Sequence, residues 1–164
     1  MMGALKWRAS PVKVRDSRYQ SLCRRRTGNN IMDKKILVVD DEAGMRLALS
    51  EVLKRCGYQV AAAHDGIEAL RQLEVGCFDL VISDVKMPRM DGIEVLEAIR
   101  KDEKLKTLPV VMLTSSREEP DLEKCYEMGV NAYVVKPVDF MEFIEAVRHI
   151  GIFWAIINEL PHVK

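Results

Sequence analysis

The chain has 164 residues, and its 25 lysines and arginines balance its 25 aspartates and glutamates, so the formal net charge is zero. A neutral balance argues against a highly charged nucleic-acid coat protein and against an acidic disordered chain. The hydrophobic content of 48% is enough to bury a sizeable core, which excludes a wholly disordered protein. A chain of this length forms one domain, or one domain with a tail.

Cysteine spacing and hydropathy narrow the class of protein further. The four cysteines are too far apart for a C-x-x-C pair or a zinc ribbon, and such scattered residues are typical of buried or free thiols in a reducing compartment. No apolar run reaches the roughly 18 residues that span a bilayer. The N-terminus also lacks the apolar segment of a secretory signal. These features predict a soluble cytoplasmic protein.

Residues 1–32 differ in composition from the rest of the chain. They hold eight basic residues and one acid, a net charge of +7, so residues 33–164 carry −7. We interpret this segment as a disordered arm, because its few apolar residues follow neither a strand nor a helix period. Its charge suits phosphate contacts with nucleic acid or an anionic membrane, but it has no recognition motif. We favour a passive tail, or a start-site artefact in which translation begins at Met32.

From Asp33 to Ile150 the hydrophobic pattern alternates between strand and helix. Each of five short apolar runs is followed by apolar residues at helical spacing. Asp65 is expected to cap the second helix, and Gly57 and Gly129 to end the first and fourth. The predicted strands are 35–39, 58–63, 79–83, 109–113 and 132–135. The predicted helices are 44–56, 66–75, 93–102, 120–128 and 139–150.

This alternation predicts an α/β fold. The strands are almost continuously apolar, which indicates a parallel sheet covered by helices on both faces. Right-handed crossovers leave few topologies, and five strands best suit a doubly wound, flavodoxin-like sheet in the order 2-1-3-4-5. The ligand crevice of such a sheet lies beyond the carboxyl ends of its strands.

Polar residues occupy those strand ends. Asp40 and Asp41 follow strand 1, and strands 3, 4 and 5 end in Asp84, Thr114 and Lys136. Carboxylates that share one crevice repel each other unless a cation or a shared proton offsets them, and carboxylate oxygens favour Mg²⁺. The alternative is that the Asp-Asp pair only caps the helix that follows.

Four motifs carry a resemblance to a known family. They are Val-Val-Asp-Asp-Glu at 38–42, the segment 84–92, Thr-Ser at 114–115, and Tyr-Val-Val-Lys-Pro at 133–137. In this order, and over about residues 34–150, they resemble the receiver domain of two-component response regulators. The resemblance implies a single-domain signalling protein of a phosphorelay. By the same resemblance, it would not be an enzyme beyond catalysing its own phosphoryl transfer and slow autodephosphorylation.

The resemblance assigns a phosphoacceptor and a metal site. Asp84 would take a phosphoryl group from a phosphohistidine of a sensor histidine kinase. Asp41, Asp84 and the backbone carbonyl of Lys86 would ligate Mg²⁺ directly. Asp40 would act on the metal mostly through a bound water.

The resemblance also assigns a conformational switch. Lys136 would pair with the phosphoryl group and Thr114 would hydrogen-bond to it, while Tyr133 rotates inward as Thr114 moves. Lys86 and Ser116 would border the phosphoryl group and modulate its lifetime. Lys86 could instead be a solvated surface lysine.

The sequence also predicts backbone features of two loops. Gly92 is expected to supply an unusual backbone angle to a rigid turn, in which Met87 and Met90 pack rather than bind a ligand. The Lys136–Pro137 peptide bond is often cis in this family, whereas most X-Pro bonds are trans.

After the fifth helix, no DNA-binding effector domain is expected. Residues 151–164 form an apolar tail that either folds back onto the domain or contacts a kinase or a second copy. A homodimer would use this tail together with the face of helix 4, strand 5 and helix 5. The tail resembles that of receivers associated with bacterial phytochrome-type kinases.

Three rival interpretations explain the pattern less well. A haloacid dehalogenase-type phosphatase needs an Asp-x-Asp motif after strand 1, where this chain has adjacent acids. A flavin or dinucleotide protein needs a glycine-rich phosphate loop there. A degenerate receiver that only binds partners would not need the acidic residues together with Thr114 and Lys136.

Overall fold

The computed structural model describes residues 30–115 and 119–157. A short 3₁₀ helix, Ile31–Asp33, precedes the first strand, and a π-helical turn, Phe153–Ile157, follows the last helix. The strands are β1 (Lys35–Val39), β2 (Gln59–Ala63), β3 (Leu80–Asp84), β4 (Val110–Thr114) and β5 (Ala132–Val135). The helices are α1 (Ala43–Arg55), α2 (Gly66–Val75), α3 (Gly92–Lys101), α4 (Glu119–Glu127) and α5 (Phe140–Ile152).

The five strands form one parallel sheet in the order β2-β1-β3-β4-β5. The predicted doubly wound, flavodoxin-like topology is therefore confirmed. Val39 of β1 lies opposite Ser83 of β3, and Thr114 of β4 lies opposite Val135 of β5. This register brings the carboxyl ends of β1, β3, β4 and β5 to the same edge of the sheet, where a ligand crevice is expected.

Two apolar clusters cover the two faces of the sheet. Leu37 and Val39 face the cluster that contains residues of α2 and α3, whereas Ile36 and Val38 face the cluster formed with α1 and α5. Successive strand residues alternate between the faces, so every position of β1 after Lys35 is buried. Burial on both faces explains why the strands are continuously apolar in sequence.

The expected helix ends are present. Gly57 (φ +97°) and Gly129 (φ +80°), which follow α1 and α4, lie in the left-handed region that favours glycine. Asp65 caps α2 by accepting a 2.8 Å hydrogen bond from the Glu68 amide.

The described part of the C-terminal tail packs on the domain along one side. Gly151 lies against Tyr58, and a Cβ there would come within 3.1 Å of the Tyr58 ring. Ala155 is buried in the same apolar cluster, whereas Ile152 and Phe153 remain 37% and 49% exposed. The tail therefore buries one side and leaves two large apolar side chains accessible on the other. Residues 158–164, like residues 1–29, lie outside the described part of the chain.

The structure tests two predictions from composition, the state of the cysteines and the absence of a membrane-spanning helix. Cys56 and Cys125 are free thiols, as expected, but Cys77 is bonded in a disulfide, so that expectation is wrong for Cys77. Within residues 30–115 and 119–157, no helix is long and apolar enough to cross a bilayer.

Candidate functional site

Three carboxylates meet at the ends of two neighbouring strands. Asp40 and Asp41 come directly after β1, and Asp84 is the last residue of β3. One oxygen from each carboxylate lies within 4.8 Å of the others. Asp40 is buried, the Asp84 side chain is 12% exposed, and Asp41 is open to solvent. The predicted acidic residues thus form one cluster that is accessible from one side.

Hydrogen bonds from the Glu42 amide and the Arg46 side chain hold the backbone around the Asp-Asp pair. The amide of Glu42 donates to Asp40 Oδ1 at 2.9 Å, and Arg46 Nη1 donates to the Asp40 carbonyl at 2.7 Å. The N-cap of α1 is Glu42, and no side chain caps it. The alternative that Asp40 and Asp41 only cap this helix is therefore wrong. Arg46, which the sequence interpretation did not single out, lies in the first turns of α1 and orients the acidic segment.

Lys136 is the cation of the cluster. Its Nζ lies 3.1 Å from Asp40 Oδ2 and 3.2 Å from Asp84 Oδ1, and its backbone amide donates to the Thr114 carbonyl at 2.7 Å. Burial lowers the pKa of this ammonium, but attraction to Asp40 and Asp84 outweighs burial, and the net pKa is raised. Lys136 therefore stays charged. The Lys136–Pro137 bond is trans, as is every peptide bond in the described ranges.

One ammonium does not neutralise the cluster. Burial, helped by the neighbouring Asp40 charge, raises the pKa of Asp84, although Lys136 opposes the shift. A divalent cation with oxygen ligands would offset the remaining repulsion. Opposite ligands of an octahedral Mg²⁺ lie ~4.2 Å apart, which fits carboxylate oxygens that already lie within 4.8 Å of one another.

Thr114 and Tyr133 lie together beside the cluster. Thr114 ends β4 and is buried, and Tyr133 lies on the neighbouring strand β5. Burial raises the pKa of Tyr133, and the nearby Thr114 side chain opposes that rise. The two predicted switch residues therefore lie close enough to influence each other.

Lys86 reaches a residue that the sequence interpretation missed. Its Nζ lies 2.8 Å from Oδ2 of Asp121 on α4, and the Lys86 side chain is 60% exposed. Lys86 is therefore a paired surface lysine and not only a solvated one. Local sequence patterns could not signal this contact, because it joins the β3–α3 loop to a different helix. Ser116, the other predicted modulator, lies outside the described residues.

In the loop from β3 to α3, the prediction about the backbone angle of Gly92 is wrong. Gly92 does not supply the unusual backbone angle; among the described non-glycine residues that angle belongs to Arg89, with φ +67°. The close approach of the chain explains Gly92 instead, because a Cβ there would lie 2.1 Å from the Asp84 carbonyl oxygen. Met87 is buried and Met90 packs against the same cluster, which confirms their packing role.

The family model of the response regulator receiver domain matches residues 36–148. The match includes the acidic cluster, Lys136, and the Thr114–Tyr133 pair. The chain belongs to the response regulator receiver domain family.

Individual receivers resemble this chain closely. The chemotaxis protein CheY of Pseudomonas aeruginosa is 44% identical over 104 residues, which cover 63% of this chain and 84% of CheY. The phosphorylated cyanobacterial phytochrome response regulator RcpA has a TM-score of 0.72 at 33% identity, covering 79% of this chain and 99% of RcpA. TrrA of Thermotoga maritima, in complex with Mg²⁺ and BeF, has a TM-score of 0.61 at 39% identity, covering 71% and 97%.

These similarities show which protein family the chain belongs to and exclude two of the rival interpretations. The protein is a CheY-like receiver domain of two-component signalling, and not a haloacid dehalogenase-type phosphatase or a dinucleotide-binding protein.

The packing around Gly92 leads to a test on a matched pair of glycines. We expect Gly92→Ala to destabilise the receiver by about 2–4 kcal/mol, because the new methyl group has to displace the Asp84 backbone. Gly44→Ala is the control, since a Cβ at this α1 position meets nothing within 4 Å, and we expect it to be neutral or stabilising. Urea unfolding measures both, and equal stabilities for the two variants would contradict the argument.

The raised pKa of Asp84 predicts how stability changes with pH. A carboxyl group whose pKa is higher in the folded than in the unfolded protein favours folding while protonated, and this contribution is lost as pH rises through the folded pKa. In EDTA at pH 7, Asp84→Asn should therefore stabilise the receiver by about 1 kcal/mol. The gain should shrink as the pH falls toward the ordinary Asp value of about 3.9. Urea unfolding at several pH values measures it; a destabilised Asp84→Asn at pH 7 would refute the expectation.

Proposed function

We propose that this receiver accepts a phosphoryl group on Asp84 from a sensor histidine kinase, in a reaction that requires Mg²⁺. The observation that supports this most is the setting of the Asp84 carboxylate. One of its oxygens contacts Lys136 Nζ at 3.2 Å, and the carboxylate shares a cluster with Asp40 and Asp41 that suits a divalent cation.

The proposed reaction moves one phosphoryl group between two side chains. An Asp84 oxygen attacks the phosphorus of the phosphohistidine, the P–N bond breaks, and the imidazole leaves with a proton. A carboxylate is a weak nucleophile, so the protein contributes mainly by position and by neutralising charge on the phosphoryl oxygens. Lys136 supplies part of that charge. Bound Mg²⁺, held by Asp41, Asp84 and the Lys86 carbonyl, with Asp40 acting mostly through a metal-bound water, would supply the rest.

The proposed switch starts from the proximity of the Thr114 side chain to the Tyr133 hydroxyl. Phosphorylation replaces one carboxylate charge by about −1.5 to −2 and adds acceptor oxygens. The Thr114 hydroxyl would turn toward these oxygens, and Tyr133 would move inward into the space that Thr114 leaves. This change repacks the face formed by α4, β5 and α5, which would alter partner binding.

The partners follow from the family and from the exposed surface. A sensor histidine kinase is the partner that the receiver family implies, and we propose a phytochrome-type kinase because RcpA is among the similar structures. A homodimer would use the α4–β5–α5 face, where Tyr126 is 54% exposed, together with the exposed side chains Ile152 and Phe153. A cytoplasmic location belongs to the same proposal.

Labelling with a small phosphodonor tests the phosphoacceptor. With Mg²⁺ and acetyl phosphate, the wild-type protein should form an acid-stable, alkali-labile adduct that gains one phosphoryl group, measured by intact-mass spectrometry. Asp84→Asn should abolish it. Asp102→Asn is the control, because this exposed acid lies at the C-terminus of α3, away from the acidic cluster. Labelling that survives in Asp84→Asn would overturn the assignment.

Thermal unfolding tests the metal site without any phosphodonor. Mg²⁺ that binds only the folded protein stabilises it by about 2.7 kcal/mol at a hundredfold excess over Kd. We therefore expect Tm to rise with Mg²⁺ in the wild-type protein and in Asp102→Asn, and to stay nearly constant in Asp41→Asn. A rise of equal size in Asp41→Asn would show that this carboxylate does not hold the ion.

A further inference from the structure

The Lys86–Asp121 ion pair joins the loop next to the phosphoacceptor to helix α4. Lys86 follows Asp84 by two residues, so the two Cα atoms lie within about 7 Å of each other. Lys86 Nζ reaches Asp121 Oδ2 at 2.8 Å, with Lys86 60% exposed and Asp121 22% exposed. The ammonium therefore lies on a flexible side chain that starts close to Asp84 and is directed toward α4.

The pair also lies beside the proposed switch. The charges of both Lys86 and Asp121 act on the Tyr133 hydroxyl, which lies near the Thr114 side chain. A rearrangement of Lys86 would thus occur where phosphorylation changes the local charge most. An ion pair this exposed contributes only about 0–1 kcal/mol to stability, so the fold does not depend on it.

We propose that Asp121 competes with the phosphoryl group on Asp84 for the ammonium of Lys86, and thereby sets the lifetime of the aspartyl phosphate. This inference rests on the proposed phosphorylation of Asp84. In the unphosphorylated receiver Lys86 pairs with Asp121. A phosphoryl group carries more negative charge and more acceptor oxygens than one carboxylate, so it draws the ammonium away. Asp121 acts through Lys86 and is a positioning residue.

The lifetime is limited by hydrolysis of the acyl phosphate. A water molecule attacks the phosphorus, the bond from phosphorus to the Asp84 oxygen breaks, and inorganic phosphate and a proton leave while the carboxylate is restored. An ammonium that lies against the phosphoryl oxygens obstructs the approach of this water. Every change that shifts Lys86 from Asp121 to the phosphoryl group therefore slows hydrolysis.

The test measures the half-life of the adduct after the removal of acetyl phosphate, in excess Mg²⁺. Asp121→Asn should lengthen the half-life about two- to fivefold, the range that an exposed ion pair supports. Glu123→Gln, an exposed acid of the same helix, should leave it unchanged, and Asp121→Glu should restore the wild-type value. Urea unfolding should show no loss of stability in Asp121→Asn.

A double-mutant cycle separates competition for Lys86 from a structural role of α4. Lys86→Met should shorten the half-life, and adding Asp121→Asn to Lys86→Met should change nothing more. The exchanged pair, Lys86→Asp with Asp121→Lys, restores an ion pair but leaves an acid beside the phosphoryl group, so its half-life should stay short. Equal half-lives in the wild-type protein and Asp121→Asn, or an effect that persists without Lys86, would overturn the inference while Asp84 phosphorylation stands. The absence of any adduct would overturn both.

Discussion

The repulsion among three carboxylates at the carboxyl ends of β1 and β3 is the constraint on which the rest of the site depends. Burial raises the pKa of Asp84 and the nearby Asp40 charge adds to the rise, while Lys136 opposes it only in part. One ammonium shared by two carboxylates leaves the cluster short of positive charge. A divalent cation with oxygen ligands is the ligand that such a cluster suits.

The fold maintains this costly arrangement by making the strand ends rigid. β1 and β3 are buried on both faces between two apolar clusters, so their ends cannot separate to relieve the repulsion. Arg46 holds the carbonyl of Asp40, and the missing side chain of Gly92 lets the next helix begin against the backbone of Asp84. The strands that stabilise the core therefore also hold the acidic side chains together.

The groups around the cluster are less constrained and supply the capacity for change. Lys86 lies on an exposed loop and forms a partly exposed ion pair with Asp121, and the buried Thr114 side chain lies near the Tyr133 hydroxyl. Under the proposed function, these are the contacts that a phosphoryl group on Asp84 would replace. Under the proposed function, the rigid acidic cluster at the ends of β1 and β3 would bind the ion and the phosphoryl group, and the contacts on β4, β5 and α4 would transmit the change.

The sequence by itself determined the sheet and the membership of the site. Strands buried on both faces have to be continuously apolar, and parallel strands bring their carboxyl ends together, so Asp40, Asp84 and Lys136 could be placed at one edge from the order of the elements alone. Only the tertiary structure decided which side chains pair there. The Lys86–Asp121 contact, and the clash that requires glycine at position 92, both depend on distances between segments that are separate in sequence. Local patterns encode periodicity and caps, whereas the approach of two separate segments depends on how the whole core packs.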